Sequence, residues 1–253
     1  MSAGAYGSRA RLGIGPPQAN PTVEPEISAL LPAGVAMYVS RLTSKCAAPQ
    51  DRLVEYLTNL GTSLDRFDTL QLDAYGFACT GSTYLHGIEE EQRIVGELSE
   101  SVGYPIITCA MAIVDALHFL GARSLAIYSP YPDWLHGASV SYWQARGFDI
   151  VATHTINATA RDTREIYVQD PQAVADLIVQ SDPGADVSLI TGTGLPSLNI
   201  IDQVAQVSER TLLSSNLCLT WRLLKEVGLW KHSTSADTRY PLLREWRRDS
   251  GVR

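Results

Sequence analysis

Asp73-Ala-Tyr-Gly-Phe-Ala-Cys79-Thr-Gly81 and Asp186-Val-Ser-Leu-Ile-Thr-Gly192-Thr-Gly194 are one pattern written twice. Each opens on an aspartate, runs through four or five mostly apolar residues and ends on a small-residue turn. The two copies stand 113 residues apart, as Gly192 stands from Cys79. Working outward, the same offset joins Leu12-Gly-Ile-Gly-Pro-Pro17 to Leu125-Ala-Ile-Tyr-Ser-Pro130, and Gly34 to Gly147. Three blocks without a gap imply a chain built as two similar halves. The match fails at its most reactive position, where Cys79 faces Gly192. A pseudo-twofold site made from such halves presents a thiol on one face and nothing on the other.

Between these blocks short apolar runs alternate with helical spacing. Strands are predicted at 11–15, 34–42, 74–79 and 105–109, and again at 124–128, 149–155, 187–191 and 211–214. Helices are predicted at 24–31, 49–64, 111–120, 139–146, 171–180, 199–207 and 217–226, with a polar helix carrying Glu89, Glu90 and Glu91 after the first glycine turn. Leu53, Tyr56, Leu57 and Leu60 form the apolar face of the 49–64 helix. Strands alternating with helices give an α/β fold of two pseudo-symmetric Rossmann-like halves with parallel sheets. Right-handed crossovers place all strand C-termini on one side, where ligands bind in such folds. The loops at Pro16, Cys79, Pro130 and Gly192 therefore converge on a cleft between the halves. The expected division is 11–121 plus 215–230 for the first half and 122–214 for the second, with 1–10 and 231–253 as flexible tails.

The chain has 253 residues, 45% hydrophobic and 19% charged, with a net charge of −7. The acidic balance and the lack of a basic cluster argue against nucleic acid. No run approaches the ~20 apolar residues of a membrane span, and the N-terminus lacks a secretory core. A cytoplasmic protein with reduced thiols is expected. The four cysteines show no CxxC spacing and the five histidines no HxxxH, which disfavours a metal. Neither glycine turn is GxGxxG or GxxxxGK[ST], which disfavours a nucleotide.

Cys79 ends a buried strand and precedes Thr80-Gly81-Ser82, which reads as a helix start. A thiol there feels free backbone N–H groups and the positive helix end, both of which favour the thiolate. A small buried core cysteine is the alternative, and it is the reading kept for Cys46, Cys109 and Cys218, although Cys109 at a strand end could line the cleft. Thr80 and Thr193 are matched hydroxyls that could bind a carboxylate or an enediolate together with backbone N–H groups; helix capping is the other use of such residues. Tyr131, between two prolines, is a plausible fixed donor. Asn20, before Pro21, is held away from helical geometry. Tyr84, Trp134 and Tyr131 are the aromatic groups offered for a substrate side chain.

These segments, with Pro16-Pro-Gln-Ala-Asn20, Ile127-Tyr-Ser-Pro-Tyr131, Asp162-Thr-Arg-Glu-Ile166, Leu195-Pro-Ser197 and Ser214-Ser-Asn216, resemble the aspartate/glutamate racemase superfamily. The likeness runs from about Leu12 to about Val227 and is closest to the branch of maleate cis-trans isomerases and arylmalonate decarboxylases. It implies a cofactor-independent enzyme on a small dicarboxylate, and a homodimer is common in the family. Racemases and maleate isomerases carry a cysteine in each half; arylmalonate decarboxylases keep only the second. This chain resembles the reverse, with Cys79 kept and Gly192 in the second place, so two-base racemisation ranks last. In the isomerase reading Cys79 is the nucleophile and Asn20 and Tyr131 hold carboxylates, with Gly81, Thr80, Gly192 and Thr193 lining the site. In the decarboxylase reading Cys79 is the proton donor to an enediolate. Each reading departs from its family: isomerases carry a second cysteine and an asparagine where this chain has Gly192 and Thr163, and decarboxylases show a threonine-serine pair where it has Thr80-Gly81. A degenerate anion-binding protein without catalysis is the third reading.

Overall fold

A computed structural model describes residues 6–157, 159–181 and 183–230. Strands β1 (Ala10–Gly15), β2 (Val35–Val39), β3 (Ala74–Phe77) and β4 (Ile106–Thr108) form one sheet in the order β2-β1-β3-β4. Strands β5 (Ser124–Ser129), β6 (Asp149–Thr155), β7 (Val187–Ile190) and β8 (Leu212–Ser214) form a second in the order β6-β5-β7-β8. All neighbouring strands are parallel. The 113-residue offset is visible in the hydrogen-bond register itself: Leu12 pairs with Ala74 as Leu125 pairs with Val187. It also explains the repeated aspartate. Asp73 accepts the Arg11 N–H at 2.7 Å, and Asp186 accepts those of Arg123 and Ser124 at 2.8 and 2.9 Å. Each carboxylate ties the start of one central strand to the start of the other.

The helices are α1 (Val23–Leu30), α2 (Pro49–Thr58), α3 (Leu60–Asp65), α4 (Thr80–Val102), α5 (Cys109–Leu120), α6 (Asp133–Ala145), α7 (Pro171–Gln180), α8 (Ser197–Val207) and α9 (Ser215–Glu226). A 3-10 turn spans Thr163–Val168. Helix α9 follows the second sheet but packs back on the first half: Arg222 pairs with Asp115 of α5 at 2.6 Å, and Trp221 stacks near Phe119. None of the described helices is long and apolar enough to cross a membrane.

Several predicted elements change shape. The single helix expected over 49–64 is two, broken at Asn59, whose backbone leaves helical geometry at φ −98° and ψ 18°. The apolar face survives the break because Leu57, Leu60 and Leu64 remain in the core. Helix α6 begins at Asp133 rather than Ser139: Pro132 stands at its N-cap and fixes the entry. Helix α4 starts at Thr80 and changes direction at Gly87, where φ is 75° and only glycine is unstrained. The capping box of Asp162 and Glu165 that opens the 3-10 turn was not anticipated. The inner end of the expected tail at 1–10 is held, since Arg9 donates its N–H to the Gly34 carbonyl and Ala10 is a buried strand residue. The tail expectations at 1–5 and 231–253 lie outside the described residues.

Candidate active site

Cys79 is the N-cap of α4, in extended geometry at φ −145° and ψ 90°. The buried run Ala74–Phe77 drives β3 into the core, and Thr80-Gly-Ser-Thr turns the chain straight into the helix. The thiol is thereby held at a helix N-terminus and accepts a hydrogen bond from Ser82 Oγ at 3.2 Å. Burial pushes the thiol up from its ordinary value; the Ser82 hydroxyl, the N–H groups of Ser82 and Gly81 and the Arg52 charge offset this only in part. The helix end was expected to favour the thiolate; burial works against it and outweighs the N–H groups and hydroxyl that the helix start supplies.

Around the thiol lies a cavity of about 40 Å³. On a scale where one water needs roughly 10–15 Å³, it holds a few waters or a small ligand. Asn20, Cys79, Thr80, Gly81, Tyr131, Gly192 and Thr193 all line it. The converging strand ends thus bring these seven residues together, from both halves. Their hydrogen bonds differ from the simple matched pair of hydroxyls. Thr80 Oγ1 and Tyr131 OH share a bond of 2.8 Å across the seam. Thr193 Oγ1 donates to the Ala78 carbonyl at 2.9 Å and accepts from Asn20 Nδ2 at 3.1 Å. Its proton is spoken for, so Thr80 and Thr193 do not act as equivalent donors. Asn20 Oδ1 caps α1 by accepting from Thr22 and Val23, which leaves one amide N–H of Asn20 for a ligand. Burial pushes the Tyr131 phenol far up, so it stays a donor at any physiological pH.

Cys109 does not line the cavity; it is fully buried, with Sγ near the Ser215 carbonyl at 3.7 Å. Of the three aromatic groups offered, only Tyr131 reaches the cavity; Tyr84 packs edge-on behind it at 6.2 Å. Sequence reasoning missed Gln18, Arg52, Leu53, Tyr56, Leu135, Arg164 and Tyr167 as lining residues. A signal existed for one: an arginine beside Leu53 and one turn before Tyr56, on the buried face of an amphipathic helix. Among the described residues no group of His, Cys, Asp and Glu is arranged to hold a metal ion.

A family model for arylmalonate decarboxylase matches residues 16–239. This chain belongs to the arylmalonate decarboxylase family. It is similar to the maleate isomerase of Pseudomonas putida, 25% identical over 232 residues, covering 87% of this chain and 92% of that protein. A cysteine-to-serine mutant of Nocardia farcinica maleate cis-trans isomerase, with a covalently bound succinylcysteine intermediate, matches with a TM-score of 0.77 at 20% identity over 87% of this chain and 93% of that one. A liganded arylmalonate decarboxylase mutant, in which a glycine became cysteine and a cysteine became serine, matches at 0.76 and 18% identity over 93% and 99%. At these identities the structures show a shared fold.

In the second half, a side chain at the position of Gly192 would be strained. Gly192 sits at φ +88°, and a Cβ there would stand 2.5 Å from Ile166 Cδ1 and 3.2 Å from the Tyr131 hydroxyl. Ile166, from the 3-10 turn, occupies the space a side chain at Gly192 would need. In this member of the arylmalonate decarboxylase family the one-thiol arrangement is built into the packing.

Proposed function

We propose that this chain is a cofactor-independent enzyme that isomerises a small cis-unsaturated dicarboxylate of the maleate type, with Cys79 as nucleophile. The observation that carries it is the placement of one thiol at the start of α4, facing Asn20, Tyr131 and Thr80 in a cavity of about 40 Å³. In its thiolate form Sγ adds to one alkene carbon. The π pair moves onto the neighbouring carbon and its carboxylate as an enediolate, which the Tyr131 hydroxyl, the free N–H of Asn20 and the α4 N-terminus stabilise. The former double bond rotates as a single bond. The pair then returns, the S–C bond breaks and the trans alkene leaves with the thiolate restored. This route requires no second thiol, so the bare Gly192 face is sufficient. The similarity to maleate isomerases, and the succinylcysteine in one of them, support covalent chemistry at a cysteine. The enzyme is proposed to be cytoplasmic and to need no cofactor.

One observation favours a second reading. A thiol kept protonated by burial suits a proton donor, and Leu53, Leu135 and Ile166 give the cavity apolar walls. A substituted malonate could lose carbon dioxide there, with Cys79 protonating the enediolate. Proton NMR of the protein with maleate in heavy water, beside Cys79→Ala, separates the two. Fumarate formed by the parent and absent with the variant is the expected result. No fumarate from the parent sinks isomerisation of maleate, and the same assay with substituted malonates then tests the decarboxylase.

A further inference from the structure

Arg52 is an unusual lining residue. Its side chain is only 4% exposed, yet it reaches the cavity from the buried face of α2. Its recorded partners among the described residues are Asp162 Oδ1, at 2.8 Å, and the Ala47 carbonyl at 3.4 Å. A guanidinium has five N–H donors, so most of its hydrogen-bonding capacity is unused. Asp162, for its part, is already well supplied. Arg164 grips both its oxygens, Nε to Oδ1 at 3.1 Å and the terminal nitrogen to Oδ2 at 2.7 Å, and donates its backbone N–H as well. One carboxylate thus serves two guanidinium groups. The three residues carry a net charge of +1 at the cavity wall, in a chain whose total is −7. Buried positive charge is expensive without enough acceptors, and Arg52 is both buried and part of the cavity wall.

We infer that Arg52 is a second anion site of the cavity, which takes one carboxylate of a dianionic substrate while the other lies against Asn20 and Tyr131. The inference rests on the proposed Cys79 chemistry on a small dicarboxylate and names the residue that reads its second charge: a monocarboxylate leaves most of the Arg52 donors without an acceptor. Asp162 and Arg164 position Arg52 and are not themselves ligands. This gives the Asp162-Thr-Arg-Glu segment a positioning part, through Asp162.

The test needs no turnover. Alkylation of Cys79 by iodoacetamide is followed by peptide mass spectrometry on the full chain, with succinate or its monoanionic counterpart butyrate as protectant at matched ionic strength. The half-exposed Cys46 serves as the internal control. A charge-assisted hydrogen bond sets the scale of the preference. Succinate is expected to protect at a concentration about tenfold or more below that of butyrate. Arg52→Gln is expected to bring the ratio close to one, and Arg52→Lys to restore part of it. Equal protection by the two acids in the parent protein, or no protection by either, overturns the inference without any variant. A preference that persists in Arg52→Gln overturns it too, and makes Arg52 a strap between the halves. Loss of maleate turnover with the succinate preference intact would instead count against the isomerase reading alone.

Discussion

At Gly192 two independent restraints act on one residue. A positive φ of 88° strains any side chain, and Ile166 fills the space a Cβ would take. Gly192→Cys is therefore expected to lower unfolding free energy by about 1–3 kcal/mol, read from the denaturant midpoint, and to add no second acid. Measured against Ile166→Ala alone, Gly192→Cys should cost less than it does in the parent, because the clash is gone while the backbone strain remains. Cys79 makes the opposite kind of prediction. Burial holds its thiol above the ordinary range, so in the empty protein its alkylation rate should stay low through neutral pH and climb only at alkaline pH. Ser82→Ala removes a donor that favours the thiolate and should move the midpoint of that pH profile higher. A midpoint that falls, or an empty protein whose Cys79 reacts fully at pH 7, would show that the helix N-terminus outweighs desolvation. The thiol and its mirror glycine were legible in the sequence because both end repeated strands. The Ile166 clash was not, since nothing in a linear pattern says which residue of a distant turn fills a vacant position.

Elements meet the site through their ends, and the start of α8 shows how. Glu26 of α1 reaches across the seam to accept the N–H groups of Ser197 and Leu198, the Ser197 hydroxyl and the Asn216 amide. Asn216 in turn donates to the Thr193 carbonyl at 3.0 Å, so a carboxylate of the first half sets the glycine turn of the second. Burial raises the Glu26 carboxyl above its ordinary 4.5, against the pull of Asn216, Leu198 and Ser197. A group with a raised folded value contributes stability that is complete below its unfolded value and fades as pH rises through the folded one. Glu26→Gln is thus expected to destabilise by about 1–3 kcal/mol in acid, where the native carboxyl is protonated. The difference should narrow as pH rises from 4.5 through the raised value, measured by denaturant unfolding across that range. A gap that widens with pH would mean that the four donors outweigh burial. Element order was readable from hydrophobic alternation, and so was the register offset. The break at Asn59 and the early start of α6 were not, because in both places the apolar spacing continues while the backbone turn is set by local geometry.

On the scale of the whole molecule, the seam between the halves is also the site. Asn20 to Thr193, Thr22 to Gly194 (2.7 Å), Thr80 to Tyr131 and Arg52 to Asp162 all join one half to the other around the cavity. Deeper in the seam, the fully buried Glu91 accepts from Tyr142 and pairs with Arg146 at 3.1 Å. The repeat foretold that such a seam exists. Its polar partners were hidden because they lie far apart in the chain, 172 residues in the case of Thr22 and Gly194. A ligand bound in that seam touches both halves, so its binding free energy adds to the stability of the whole chain. At a hundred times its dissociation constant a dicarboxylate should add about 2.7 kcal/mol. For a chain of this size that corresponds to a rise in Tm of roughly 5–10 °C. Differential scanning calorimetry with succinate, which cannot react, measures it without turnover. If only one half were stabilised, the single transition would split in two. One transition moving upward as a unit is the outcome expected of a site to which both halves contribute, and Arg52→Gln should reduce that shift far more than it lowers the Tm of the empty protein.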